Sequence, residues 1–176
     1  MYISKEIVTE LLSPICQDIE FYEFKEQLTV TVPKNKIVEV ATALRDNPKT
    51  AFNQLRDVTA VDWLKKKNRF EVVYFLYSLD LLHRLRVKVA VDESDLTCDS
   101  VTDVWESANW YERETFDMYG VKFIGHPDLR RFYMPEDYVD PDTKEPIHPL
   151  RKDFPLMGIP ESLPLPPYPE KYGATK

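Results

Sequence analysis

The sequence has 176 residues, 43% hydrophobic and 30% charged, with a net charge of −7 and a pI near 5.1. That is enough chain for one soluble globular domain with its own core. The charge opposes nucleic acid and anionic membrane as partners, and no apolar run nears the roughly 18–20 residues of a membrane span.

The opening MYISKEIVTELL carries Glu6 and Glu10 and lacks a signal-peptide pattern. Within it, Ile7, Val8, Leu11 and Leu12 recur at helical spacing, which predicts a helix over 4–13. Gln27–Val32 alternates at period two and predicts a half-buried strand ended by Pro33. Asn35 is the expected cap of a second helix, with Ile37, Val40, Ala41 and Leu44 as its apolar stripe. A strand is expected near Gln54–Val61. The run Lys65-Lys66-Lys67 with Arg69 reads as a solvated strand end.

Two further strands, Arg69–Ser78 and Leu82–Val91, bend near Leu79-Asp80. In the second, Leu85, Val87, Val89 and Val91 face one way and Arg84, Arg86, Lys88 and Ala90 the other. That alternation predicts an antiparallel hairpin with one solvated face. Asp99 or Ser100 opens a helical region with Val101, Val104, Trp105 and Ala108. Its continuation from about Asn109 ends at Gly120, a suitable residue for a left-handed helix end.

Proline divides the chain. Pro14, Pro33 and Pro48 are the only prolines before residue 127; the other eleven of fourteen lie from Pro127 to Pro169. Such density excludes helix and interior sheet. The reading is an α+β domain over 1–125, a mostly antiparallel sheet with helices packed on it, followed by an extended proline-rich tail over 126–176. Its apolar residues (Phe154, Leu156, Met157, Ile159, Leu163, Leu165, Tyr168) exceed what a solvated linker carries. A partner surface is the better expectation. In polyproline geometry, the residues after Asp153 could span on the order of 70 Å.

Candidate chemistry centres on residues 112–131, ERETFDMYGVKFIGHPDLRR. Glu112 and Asp117 are not neighbours on a helix and form a poor acid/base pair, while Arg113 can pair with Asp117 at i,i+4. His126, Asp128 and His148 are possible metal ligands, but their spacing matches no zinc signature. The plainer reading has Asp128 capping a turn and His126 bonded within its loop. Cys16 and Cys98 stand alone, without a Cys-x-x-Cys, which excludes a chain-internal four-cysteine cluster and reads as reduced thiols. The four glycines, at 120, 125, 158 and 173, form no nucleotide loop.

Two blocks, WYERETFDMYGVKFIGHPDLRR (110–131) and HPLRKDFPL (148–156), together with the lead-in VWESANW, resemble the C-type subunit of the proton-pumping NADH:quinone oxidoreductase, respiratory complex I. The specific resemblance covers about a third of the chain. In that family the second block follows Asp-Tyr after a couple of residues; here VDPDTKEPI intervenes between Tyr138 and His148.

The resemblance implies a peripheral-arm subunit of an NADH:quinone oxidoreductase, with no redox centre or catalytic residue of its own. FMN and iron–sulfur clusters would sit in partner subunits. The implied neighbours are the large quinone-site subunit and the iron–sulfur subunits, on the cytoplasmic side of the inner membrane, with membrane contact only through the complex. Glu112, Arg113, Asp117, His126, Asp128, Arg130, Arg131, Arg151, Lys152 and Asp153 then become expected partner-interface residues. Three alternatives remain: the equivalent subunit of a membrane-bound hydrogenase-type complex, a free-standing metal-dependent hydrolase using His126, Asp128 and His148, and a solo adaptor unrelated to respiration.

Overall fold

The computed structural model describes residues 3–64, 66–140 and 142–155. Helix α1 (Lys5–Leu12) leads into strands β1 (Glu20–Phe24) and β2 (Gln27–Val32), then α2 (Ile37–Asp46). Strands β3 (Gln54–Asp62), β4 (Phe70–Tyr77) and β5 (Arg84–Val91) follow, then β6 (Thr97–Asp99), α3 (Ala108–Tyr119) and β7 (Lys122–Ile124). The main sheet runs β1-β2-β5-β4-β3. The β1–β2, β5–β4 and β4–β3 pairs are antiparallel and β2–β5 is parallel. The architecture is the α+β sandwich that the alternation of patterns implied.

Periodicity explains the core. Strand β5 buries Leu85, Val87, Val89 and Val91 and leaves the intervening residues partly or fully exposed. Helix α2 buries Ile37, Val40, Ala41 and Leu44, which close on Tyr74, Leu76, Val87 and Trp105. One apolar cluster joins these to α1 through Val8 and Leu12.

Several local expectations differ. Strand β1 was not foreseen, because its EFYEF pattern is almost wholly exposed and has no buried alternation. Its two-residue turn to β2 uses Lys25 and Glu26 at positive φ, without the glycine that signals such turns. Asn35 is not a cap: a 3₁₀ turn, Lys34–Lys36, feeds α2 directly. Residues 101–107 form turns, and regular helix starts only at Ala108. Arg69 is not solvated; it is 4% exposed.

Helix α3 lies along the outer edge of β3. Thr115 Oγ1 donates to the Val58 carbonyl at 2.9 Å and Ser107 Oγ to that of Leu55 at 3.3 Å. These bonds satisfy sheet-edge acceptors that would otherwise lack partners.

The largest difference concerns the expected tail. Residues 126–155 are folded onto the body, so a division at residue 125 does not separate two units within the described residues. The rest of the expected strap, 156–176, lies outside the described residues. On either side of the intervening segment the chain pairs with itself: Val139 bridges Pro146, the Asp140 N–H donates to the Glu145 carbonyl at 2.9 Å, and the Ile147 N–H donates to that of Tyr138 at 3.3 Å.

Candidate assembly surface

Helix α3 organises the site because its buried polar side chains hold the chain that follows. Asp117 is fully buried. Its Oδ2 accepts the N–H groups of Phe132, Tyr133 and Met134 at 3.1, 2.7 and 2.8 Å. Its Oδ1 lies 3.5 Å from an Arg131 amino group. Three amides and a guanidinium offset the cost of burying this carboxylate. Arg131 also donates to the Ile147 carbonyl at 3.0 Å. Arg113 does not pair with Asp117; it donates to the carbonyls of Arg130 and Arg131 at 3.3 and 3.2 Å.

The second block closes the helix end. Gly120 has φ +83°, and its N–H donates to the Phe116 carbonyl. The next three carbonyls of α3 are taken by 148–151. His148 Nδ1 donates to Asp117 O at 2.9 Å, the Leu150 N–H to Met118 O at 3.2 Å and Arg151 Nε to Tyr119 O at 2.6 Å. A helix leaves four carbonyls unsatisfied at its C-terminus, and a cation there also complements its dipole. The approach is close enough to require glycine: a Cβ on Gly120 would stand 2.6 Å from His148 Nε2 and nearer still to Arg151. Burial holds the His148 imidazole below its ordinary pKa, and the neighbouring Arg151 and Arg131 add to that.

A third clamp ties this segment to the sheet. Arg69 and Asp62 form a buried bidentate pair at 3.0 and 2.8 Å. Asp62 also accepts the Lys152 N–H at 2.8 Å, and Arg69 bonds Asp153 at 2.8 Å and Glu93 at 2.5 Å. The Arg69 guanidinium holds the Asp62 carboxyl well below the usual carboxylate range. Sequence reading missed this pair, although Asp62 continues the inward positions Val58 and Ala60, where a carboxylate demands a partner.

Glu112 serves a fourth, local purpose. It is fully buried and accepts the Val101 N–H and the Ser100 hydroxyl at 2.8 and 2.7 Å, holding the turns that precede α3. Burial pushes its pKa up to about 7, against those two hydrogen bonds.

Of the ten residues expected at a partner interface, Glu112, Arg113, Asp117 and Arg131 are therefore spent on intrachain bonds and are not exposed for docking. The physical reason is that α3 turns Glu112, Arg113 and Asp117 inward, toward backbone that has no other partners, and that Arg131 follows Asp117 and the Ile147 carbonyl inward. Arg151 is half-buried; its Nε is held by α3, and its guanidinium lies 5.4 Å from the Phe70 ring centre. Arg130, Asp128, Lys152 and Asp153 remain exposed, with Arg130 and Asp128 paired at 3.0 Å.

The hydrolase constellation does not come together. His126 Nε2 donates to Asn109 O at 3.0 Å while its Nδ1 accepts the Asp128 N–H, and His148 is engaged at the far end of α3. No group of three potential ligands stands together among the described residues.

What remains outward is aromatic. Trp110, Phe132 and Tyr133 are 55%, 42% and 59% exposed and form a ladder with ring centres 5.1 and 4.4 Å apart. Arg113 lies beneath Trp110 and Phe132, 4.9 and 5.4 Å from their centres. No sequence signal separated these rings from core aromatics. Among the described residues, no helix is long and apolar enough to cross a membrane.

The comparisons with known proteins agree with this arrangement. Residues 30–160 match the family model described as the respiratory-chain NADH dehydrogenase 30 kDa subunit. The chain is 46% identical over 141 residues to the C-type subunit of NADH-quinone oxidoreductase from Geobacter sulfurreducens, covering 80% of this chain and 82% of that one. It is 48% identical over 134 residues to that of Roseiflexus sp. strain RS-1, covering 76% and 73%. Among solved structures, it resembles the trypsin-resistant fragment (1-134) of Nqo5, with a TM-score of 0.58, 30% identity, and 71% and 98% coverage. It also resembles a chain of the membrane-bound sulfane sulfur reductase, an archaeal respiratory membrane complex, with a TM-score of 0.64, 28% identity, and 87% and 86% coverage. With an α+β sandwich whose helix α3 is closed by both sequence blocks, and with this similarity over most of its length, the chain belongs to the 30 kDa subunit family of respiratory-chain NADH dehydrogenases.

Proposed function

We propose that the chain is the non-redox scaffolding subunit of an NADH:quinone oxidoreductase, occupying the C-type position. It holds the quinone-reducing module of the peripheral arm while electrons pass from NADH to quinone and protons are translocated. The observation that carries this reading is the exposed ladder of Trp110, Phe132 and Tyr133, fixed from beneath by Arg113. Exposed rigid aromatics stacked over an arginine, Arg113, have the composition of an interface centre. Catalytic work stays with the partners: the large quinone-site subunit, the iron–sulfur subunits that carry the clusters, and the FMN-bearing part of the enzyme. Membrane association on the cytoplasmic face comes through those partners.

The 126–155 wrap presents Phe132 and Tyr133 of the ladder beside Trp110 of α3. The likeness to the trypsin-resistant Nqo5 fragment, over 71% of this chain, supports reading it as a compact core. The sulfane sulfur reductase chain keeps a related-complex reading open on fold alone, whereas the relatives at 46% and 48% identity favour the NADH-linked enzyme.

Affinity purification of the tagged chain from detergent-solubilised membranes tests the reading. The account expects co-purification of iron–sulfur subunits and a quinone-site subunit. It also expects that Trp110→Ala with Tyr133→Ala lowers incorporation without changing the fold of the free chain. Recovery of the chain alone, or a double variant that assembles normally, overturns it.

A further inference from the structure

A second exposed surface lies on the main sheet. At the end where β2 and β5 begin and β4 finishes, a groove of about 430 Å³ is lined by Gln27, Phe75, Arg56, Arg84, Arg86 and Asp57, with three leucines at its floor. The β-bulge between Leu55 and Asp57 sets Arg56 out of the regular ladder and into this lining.

Three guanidiniums converge there on a chain whose net charge is −7. Each lies near a ring: Arg56 and Arg84 are 5.3 and 5.9 Å from the Tyr77 centre, and Arg86 is 5.1 Å from that of Phe75. Such stacking leaves the planar N–H edges available. Among the described residues none of the three has an ion pair with a carboxylate, although Arg45, Arg69, Arg130 and Arg131 each have one. Arg86 donates once, to Gln27 Oε1 at 3.2 Å, while its Nε is shielded from solvent and has no acceptor. A shielded, unpaired donor is costly unless something supplies the acceptor.

We infer that this groove docks an acidic segment of a neighbouring subunit, whose carboxylates pair with Arg56, Arg84 and Arg86 over the Phe75 and Tyr77 rings. This rests on the scaffolding role proposed above and adds a second contact surface with a stated partner chemistry. Carboxylate fits better than nucleic acid: the rings already lie under guanidiniums, which occupy the faces that bases would stack on. Asp57 in the lining opposes a doubly charged phosphate, yet leaves the groove net positive for carboxylates spread along a peptide.

The test compares the free full-length chain with the assembled complex. Phenylglyoxal, which modifies accessible arginines, is applied to both, and the sites are read by mass spectrometry. Arg56 and Arg84 should react freely in the isolated chain and be protected in the complex. A photo-crosslinking residue in place of Tyr77 should capture a partner peptide rich in Asp and Glu. Arg84→Glu combined with Arg86→Glu should lower incorporation by at least about tenfold, or 1.4 kcal/mol, with the melting point of the free chain unchanged. Arg84→Lys with Arg86→Lys should retain part of it, since charge survives but bidentate geometry does not. Equal reactivity in both states overturns the inference, as does capture of lipid, nucleic acid or a peptide without acidic residues. A chain that enters no complex overturns the scaffolding role as well; one that enters with these arginines still reactive overturns only the docking groove.

Discussion

Leu44 in α2 and Asp117 in α3 are both fully buried, but they hold different parts of the molecule by different means. Leu44 belongs to a continuous apolar cluster spanning the sheet and both early helices. Its contribution is non-directional and scales with the area removed from water. Asp117 holds chain 15–17 residues away through three oriented amides. The wrap over 126–155 buries few large apolar side chains, Tyr138 and Ile147 among them, and depends on directed bonds from Arg113, Asp117, Asp62 and Arg69. A sheet held by area tolerates repacking; a segment held by a few buried charges fails when any one of them is removed.

The largest expected effect breaks that contrast open. Asp117→Ala leaves Arg131 buried without its carboxylate and three amides without an acceptor, at a cost of roughly 3–5 kcal/mol. The loss should be local: residues 126–155 become protease-sensitive while the sheet keeps its cooperative unfolding. Leu44→Ala, at a cost of about 2–5 kcal/mol, should instead destabilise the whole domain with no selective exposure of the wrap. Limited proteolysis together with urea unfolding distinguishes them.

Next comes pH. Glu112 has a folded pKa near 7, raised by burial above its ordinary value of 4.5. The folded state keeps this proton where the unfolded chain has lost it. Its contribution is therefore full below about pH 4.5, falls as pH rises toward 7 and is constant above, a change on the order of 3 kcal/mol. His148 works oppositely: its lowered pKa means stability is lost as pH falls below about 6.5. Asp62, held low by Arg69, adds a loss as pH falls below about 4. The difference between wild type and Glu112→Gln across pH 4.5–7 isolates the Glu112 limb; a flat difference would show that Glu112 is ionised in the fold.

These inward charges mark the limit of what local sequence conveys. The stripes of α1 and α2, the alternation of β5 and the glycine stop of α3 are local patterns, and they were legible; β2 was legible as a strand, but it buries Thr29 as well as Leu28 and Val30 and so is not the half-buried strand expected. Strand β1 was not, since an exposed edge carries no alternation. The parallel pairing of β2 with β5 joins residues more than fifty apart and has no local signature. Proline density from 126 onward excluded helix and interior sheet but suggested an extended tail laid on a partner, whereas residues 126–155 lie on their own body. The wrap's partners, such as Arg69 for Asp153 and Asp62 for Lys152, lie up to 90 residues away, so their pairing could not be read from spacing. The two blocks that resemble the family were legible as motifs, whereas their bonding to each other was not.

A smaller effect sharpens the junction between those blocks. Gly120→Ala forces a side chain into positive φ and against His148 and Arg151. A cost of about 1–3 kcal/mol is expected, with faster proteolysis after residue 147. Smallest is Asp128→Ala, which removes only the exposed pair with Arg130 and should shift stability by less than about 1 kcal/mol. An effect as large as that of Asp117→Ala would mean that the exposed end of the loop also holds the wrap.

The central claim is that the isolated chain folds residues 126–155 onto α3 before any partner arrives. Native-state hydrogen exchange of the free protein reads it at the amides of Phe132, Tyr133 and Met134, which all donate to Asp117. The account predicts strong protection at these three amides in wild type and its loss in Asp117→Ala, with the amides of β4 and β5 protected in both. Exchange of the three at unfolded-chain rates in free wild type, with protection only in the complex, would contradict it and return the segment to the role of a partner-ordered tail.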